Sequence, residues 1–257
     1  MRGISEGMWN GLMGKLLYVP IFNLLVLLYV YIPGQDFGIS IIVLTLIIRL
    51  ILHPSYANSL KAQHDLQRIQ PYIDKIRQEH KDDPQKQSQA IMEIYKEHKV
   101  SPLGSCLPLL IQLPIIFALY RVFIAGLDAS SLAHLYSWFP NPPTDLHLTF
   151  LGFIDLSQSS IWLAIVAGAS QFIQGWISQK YNPARANTGN QQLPFNPQMI
   201  MYIFPFVTIA IAVTLPAALS LYWTASTLIM ATEQLVIYRG FARQEIEVIK
   251  TTHHGDS

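Results

Sequence analysis

Long apolar runs alternate with shorter polar segments along this chain. The runs Gly38 to His53, Leu103 to Ala125, Ile161 to Ile177, Met199 to Leu215 and Ala217 to Tyr238 approach the roughly 20 residues an α-helix needs to cross a bilayer. Five spanning helices are expected. A sixth run, Leu16 to Ile32, carries Pro20 and Asn23, follows Lys15, has Tyr18, Tyr29 and Tyr31 near its ends and stops at Pro33-Gly34. Aromatic and basic margins suit a helix lying in the lipid interface. A span in a tight hairpin is the alternative, because only about five residues separate this run from the next.

Between the first two runs the pattern changes. Leu66, Ile69, Ile73 and Ile76 recur at three, four and three, the spacing of a coiled-coil seam. Asp82-Asp83-Pro84 then supplies a helix cap and a proline suited to a first turn. Ile91, Ile94, Tyr95 and His98 share a face of the helix that follows. These make an antiparallel helical hairpin about 25 Å long, with Pro71 expected to kink or split its first arm. Its outer faces mix both signs, including Asp65, Lys75, Arg77, Glu79, Lys81, Lys86, Glu93 and Lys96. They read equally as a solvated surface or as a docking arm for soluble factors.

Composition supports the membrane class: 51% of the 257 residues are apolar and 13% charged, against roughly 25% charged in soluble domains. The net charge of +1 hides a strong asymmetry. Eight of the 17 Lys and Arg residues lie from Lys61 to Lys99, two are Lys180 and Arg185, and three are Arg239, Arg243 and Lys250. By the positive-inside rule these segments face the cytoplasm, with the N-terminus outside. The expected boundaries are an outer N-terminus and interfacial helix at 1–37, spans at 38–54, 103–125, 160–178, 198–215 and 217–238, the cytoplasmic hairpin at 55–102, an outer loop at 126–159, a cytoplasmic loop at 179–197 and a cytoplasmic tail at 239–257. No cleavable signal peptide is expected in the Gly-rich, polar N-terminus, and the lone Cys106 gives no disulfide framework.

An arginine stands out among leucines and isoleucines in "TLIIRLILHP" (45–54). A charge at mid-bilayer costs about 3 kcal/mol on insertion scales, so a buried one faces protein or water. Arg49 is close enough to the end of its span to snorkel, but other polar residues in the spans favour a wet cavity. They are Thr45 on the same face, Gln112, the pair Gln171 and Gln174, and Thr224, Thr227, Glu233 and Gln234 beside Tyr222 and Trp223. Pro108, Pro114, Pro205 and Pro216 would bend helices and leave room for water. No HExxH, GxSxG, GxxxxGK[ST] or CxxC motif is present, and the histidines and outer-loop aspartates Asp128, Asp145 and Asp155 lack metal-ligand spacing. Neither enzyme chemistry nor a cofactor is expected. An intramembrane protease would need a nucleophile and base or paired aspartates in its spans, and Glu233 is the one clear acidic residue there, read as a partner for a neighbouring helix.

The stretch "KVSPLGSCLPLLIQLPIIFALYRVF" (99–123) resembles the segment entering the second core helix of the YidC/Oxa/Alb family of membrane protein insertases. The likeness runs from about Leu16 to Gly240 and includes "GISIIVLTLIIRLILHP", "LSLYWTAST" and "EQLVIYRG". It implies an all-α polytopic membrane protein of the bacterial plasma (inner) membrane, with a five-transmembrane-helix core, an N-terminal interfacial amphipathic helix and a cytoplasmic helical hairpin. The core would enclose a hydrophilic groove open to cytoplasm and lipid. Arg49 and Thr45 would match the groove arginine and threonine, and Tyr222 and Trp223 the aromatic pair that meets the substrate. With Gln112, Gln171, Gln174 and Thr227 these form the expected substrate groove.

The resemblance further implies nascent membrane proteins with short or acidic tails as clients, with the lipid bilayer, the Sec translocon, the signal recognition particle and its receptor, and the ribosome as partners. Direct nucleic-acid recognition is not expected. The chain lacks the large extracytoplasmic domain of Gram-negative members and the lipobox cysteine of many Gram-positive ones. Its short tail is only mildly basic, so strong ribosome binding through it is not expected. The competing class is a small anion channel or transporter using Arg49 as its selectivity charge.

Overall fold

The computed structural model describes the backbone of residues 14–101, 104, 107–124, 134–139, 146–181 and 197–254. Cys106, Asp128, Asp145 and most of the loop 179–197 lie outside the described residues, as do the side chains of Arg243, Glu245, Glu247 and Lys250. In chain order, a π-helical turn (Gly14–Tyr18) leads into α1 (Val19–Tyr31). Helices α2 (Phe37–Glu79), α3 (Pro84–Glu97) and α4 (Leu107–Ile124) follow. A short hairpin of β1 (Thr149–Phe150) and β2 (Ile154–Asp155) precedes α5 (Ile161–Tyr181), α6 (Pro197–Ala212) and α7 (Ala217–His254).

Two compact units divide the chain. The first takes Met1–Ile51, Leu110–Ile173 and Tyr202–Ile229, the second Leu52–Leu109, Gln174–Met201 and Met230–Ser257. Among the described residues, Gly14–Tyr31, Phe37–Glu79 and Ile161–Tyr181 are long and apolar enough to cross a membrane, and Leu110–Phe123 and Tyr202–Ala212 are shorter apolar helices. The last expected span lies in α7, where Ser220, Thr224, Ser226, Thr227 and Gln234 are all buried and dilute the apolar character.

In the first unit, α1 buries Phe22, Leu25, Val26 and Tyr29. Its outward positions Leu24, Leu27 and Leu28 are apolar too, so α1 lacks the polar face expected of an amphipathic helix. Buried Asn23 is its polar anchor: the amide donates to the carbonyls of Val19 (2.8 Å) and His134 (3.0 Å) and accepts from the Tyr136 N–H (2.8 Å). Gly34 (φ 85°) makes the turn into α2, where the left-handed backbone favours glycine. Asp36 caps α2 by accepting from the Ile39 N–H at 2.9 Å, and its other oxygen accepts from the Leu151 N–H.

The β hairpin pairs Thr149 with Asp155 and Phe150 with Ile154. Phe150 lies so close to Gly38 that any Cβ there would collide with its ring. Beyond β2, the carbonyls of Gln158 and Leu156 accept from the N–H groups of Ala217 (2.8 Å) and Ala218 (3.0 Å), two of the donors that the first turn of α7 cannot satisfy internally. The hairpin thus fixes where α7 begins. Gly168 performs a similar service between α5 and α6, since a Cβ there would come within 2.4 Å of Ile209. Small residues let membrane helices approach this closely.

In the second unit, Tyr56, Leu60 and Tyr238 form a buried cluster with Tyr181, Met230, Ile237 and Phe241 packed on it. The expected helical hairpin is present: Asp83 caps α3 by accepting from the Lys86 N–H at 3.1 Å. Contacts of Gln87 with the Arg77 carbonyl (3.3 Å) and of the His98 ring with Tyr72 (centroids 5.5 Å) run antiparallel. One expectation is corrected. Pro71 does not split the first arm, because α2 runs unbroken from Phe37 to Glu79 through both Pro54 and Pro71. Each proline removes a single backbone donor, and the buried Ile69 and Ile73 hold the helix on both sides of Pro71.

Candidate functional site

Arg49 is 5% exposed on α2, which places a guanidinium among packed helices. A charge so buried must be hydrogen-bonded. Its Nε donates to the Ser226 hydroxyl of α7 at 2.9 Å, Nη2 donates to the same oxygen, and Nη2 also donates to the Gln112 carbonyl oxygen of α4 at 3.2 Å. The Gln112 amide nitrogen donates in turn to the Tyr222 hydroxyl at 2.6 Å. Tyr222 and Ser226 are four residues apart and so share one face of α7. One arginine therefore ties α2, α4 and α7 together, through a hydroxyl and an amide oxygen.

The surrounding residues continue this polar interior. Thr45, fully buried one turn before Arg49, donates to the Ile41 carbonyl at 2.6 Å. On α7, Thr224 donates to the Ser220 carbonyl at 2.9 Å, and Thr227 is buried. Trp223 is half-buried and, next to Tyr222 in sequence, points about 100° away around the helix. The Thr45 and Thr224 hydroxyls thus bond backbone carbonyls of their own helices one turn back.

Of the eight residues expected in the groove, Arg49, Gln112 and Tyr222 are joined directly. Thr45 and Thr227 belong to the same unit. Gln171 accepts instead from the Thr208 hydroxyl of α6. Gln174, in the second unit, donates to the buried Gln234 at 3.3 Å. Ser226 and Thr208 were missed by sequence reasoning, because an isolated hydroxyl in a span reads as interhelical glue. The signal available was the four-residue spacing of Ser226 from Tyr222. No group of three His, Cys, Asp or Glu side chains fit to hold a metal occurs among the described residues. Glu233 has the expected neighbouring-helix partner, His53 of α2, at 2.6 Å.

Comparison with known proteins gives this arrangement a context. The family described as 60Kd inner membrane protein matches residues 27–245. The chain belongs to this family. A membrane protein insertase YidC of Fusobacterium nucleatum is 34% identical over 79% of this chain and 87% of its own, and one of Clostridium tetani is 38% identical over 77% and 79%. A YidC of Histophilus somni is 34% identical over 88% of this chain, which spans 37% of that longer relative. The crystal structure of an active YidC insertase with its first transmembrane domain resolved matches with a TM-score of 0.51 at 29% identity, over 84% of this chain and 45% of the other. With its apolar helices, membership of this insertase family makes the chain a multi-pass protein of the bacterial inner membrane.

Proposed function

We propose that the chain is a membrane protein insertase in which Arg49 receives the hydrophilic tail of a short membrane protein and the client's apolar segment leaves into lipid. Unassisted, such a tail would carry unsatisfied polar groups through hydrocarbon at several kcal/mol each. The observation that supports this reading is the buried Arg49, bonded to the neutral oxygens of Ser226 and Gln112. A client carboxylate can displace such acceptors, because charge-assisted hydrogen bonds are roughly twice as strong as those to neutral oxygens. Gln112, Tyr222 and Ser226 would then bond one another and the tail, while Thr45, Thr227, Gln171 and Gln174 supply further polar surface. Trp223 would meet the client's apolar segment, whose own transfer into lipid drives completion. No bond is made or broken, so the reading assigns no catalytic group.

The proposal includes the orientation given by the positive-inside rule, N-terminus outside and C-terminus in the cytoplasm. It places the hairpin of α2 and α3 in the cytoplasm as a docking arm. The Sec translocon, the signal recognition particle with its receptor, and the ribosome would act as auxiliary partners. An anion channel is disfavoured by the insertase relatives.

The test is insertion of a single-span client with an acidic N-terminal tail into liposomes containing only this protein, scored by protection of the tail from protease. Protection by wild type that falls in Arg49→Ala, and falls less for a neutral tail, is expected. Equal loss on acidic and neutral tails would overturn the electrostatic role of Arg49. No protection above empty liposomes would overturn the insertase reading.

A further inference from the structure

In the second unit, His53 of α2 holds its Nδ1 2.6 Å from Oε1 of Glu233 on α7. The two partners differ in exposure: the His53 side chain is 50% exposed, that of Glu233 13%. The pair is open on the histidine side and sunk on the carboxylate side. The other carboxylate oxygen, Oε2, is buried and meets no hydrogen-bond donor among the described residues. A carboxylate can only accept, with lone pairs for about four donors, and a buried acceptor left unmade bears its desolvation penalty in full. The geometry therefore favours a further donor, preferably a cationic one, since the strongest bonds to a carboxylate come from cations.

The place of Glu233 in the chain says which cation. It lies near the end of the apolar stretch Ala217 to Tyr238 and is followed by Arg239 and Arg243, so the proposed orientation puts it at the cytoplasmic side. A client's transmembrane segment brings Lys and Arg to that same side. Lys offers three donors and Arg five, with no acceptor on either. We propose that Glu233, oriented by His53, receives the Lys or Arg flanking the client's transmembrane segment, holding that end at the cytoplasmic face while the acidic tail moves across. The inference rests on the insertase reading and adds to it a residue that selects for the client's flanking charge. A purely structural ion pair would be indifferent to that charge.

The test uses the full chain in liposomes of phosphatidylglycerol and phosphatidylcholine, which carry no primary amine. Two clients share one acidic tail and one apolar segment and differ only in a cytoplasmic flank of two Lys or two Gln. Protease protection of the tail gives the ratio of insertion between them, and zero-length carbodiimide coupling, mapped by mass spectrometry, reports which protein carboxylate lies against a client lysine. The expected result is coupling at Glu233 and a several-fold preference for the Lys flank. In Glu233→Gln the coupling is lost and the ratio falls toward one, with the Gln-flanked client inserted as before. Glu233→Asp keeps part of the preference, and His53→Gln weakens it.

Coupling confined to other carboxylates, or an unchanged ratio in Glu233→Gln with insertion intact, would overturn the inference and leave the insertase reading standing. A ratio that collapses when phosphatidylethanolamine is added would assign the site to a lipid headgroup of the same ammonium chemistry, and would also overturn it. No client protected by wild type would remove the insertase reading and this inference together.

Discussion

Arg49 and Arg77 stand on the same helix, and each donates to a side-chain oxygen, yet the surroundings give the two bonds different meanings. Arg77, its side chain 29% exposed, reaches Asp74 one turn back on its own helix at 3.4 Å. Water can replace that contact, and such pairs contribute about 0.3–0.5 kcal/mol. Arg49, 5% exposed, bonds hydroxyl and amide groups from two other helices, away from the bulk water that weakens the Arg77 pair. The hairpin uses charge to stay soluble; the helix interior uses it to keep a polar place inside apolar surroundings.

The largest expected effect separates these two arginines. At 4 Å and an effective dielectric of about 20, a charge pair interacts with about 4 kcal/mol. Arg49→Ala should therefore reduce insertion of acidic-tailed clients by at least about tenfold. Arg77→Ala should leave insertion unchanged, and Arg49→Lys should retain part of it because charge counts for more than fork geometry. Comparable losses from Arg49→Ala and Arg77→Ala in the protease-protection assay would abolish the distinction.

Glycines sharpen the same contrast between packed interior and open surface. Gly168→Leu drives a side chain into Ile209 and the Pro205 carbonyl, and overpacking of this kind costs about 1–3 kcal/mol. Gly240, inside α7, has open space where its Cβ would be, so Gly240→Ala should stabilise by about 0.5–1 kcal/mol through helix propensity. Thermal unfolding in detergent would show opposite shifts, and a fall for both would mean that Gly240 is packed after all. Asn23→Leu comes next. It removes the side-chain partner of the His134 carbonyl and the Tyr136 N–H, and a typical intramolecular hydrogen bond contributes about 0.5–1.5 kcal/mol. Hydrogen exchange at the Tyr136 amide should accelerate while the interior of α2 stays protected.

Much of the fold was legible because it depends on periodicity and breakers. Apolar runs located α2 and α4 to α7, and Asp83-Pro84 marked the start of α3. What stayed hidden depended on partners distant in sequence. Nothing local says that α2 continues through Pro71, since that rests on Ile69 and Ile73 being buried in the folded chain. The β hairpin was unreadable because its strands are two residues each. In the site, Arg49 was conspicuous as a charge in an apolar run, and Gln112 as an amide in another. Ser226, which holds Arg49, was not, because serine is unremarkable in a membrane helix. Gln171 and Gln174 shared an expected face by spacing, yet each bonds a different helix, a choice set by packing.

The smallest effect lies at the turn of the hairpin, where solvent weakens every contact. Asp83 accepts from the Lys86 N–H at 3.1 Å and pairs with Lys86 Nζ at 3.3 Å. The Lys86 N–H is the main reason its carboxyl is held below the ordinary value of 3.8. A carboxyl acid-shifted on folding stabilises fully above its ordinary value, and that stabilisation is lost as pH falls through the folded value. Asp83→Ala should therefore speed hydrogen exchange at the Lys86 and Gln87 amides near neutral pH, relative to wild type, with the difference shrinking in acid. Asp83→Asn should keep most of the protection, because a neutral amide oxygen still caps the helix. Wild type and Asp83→Ala exchanging equally at neutral pH would show that α3 starts at Pro84 by its fixed φ alone, with the cap idle.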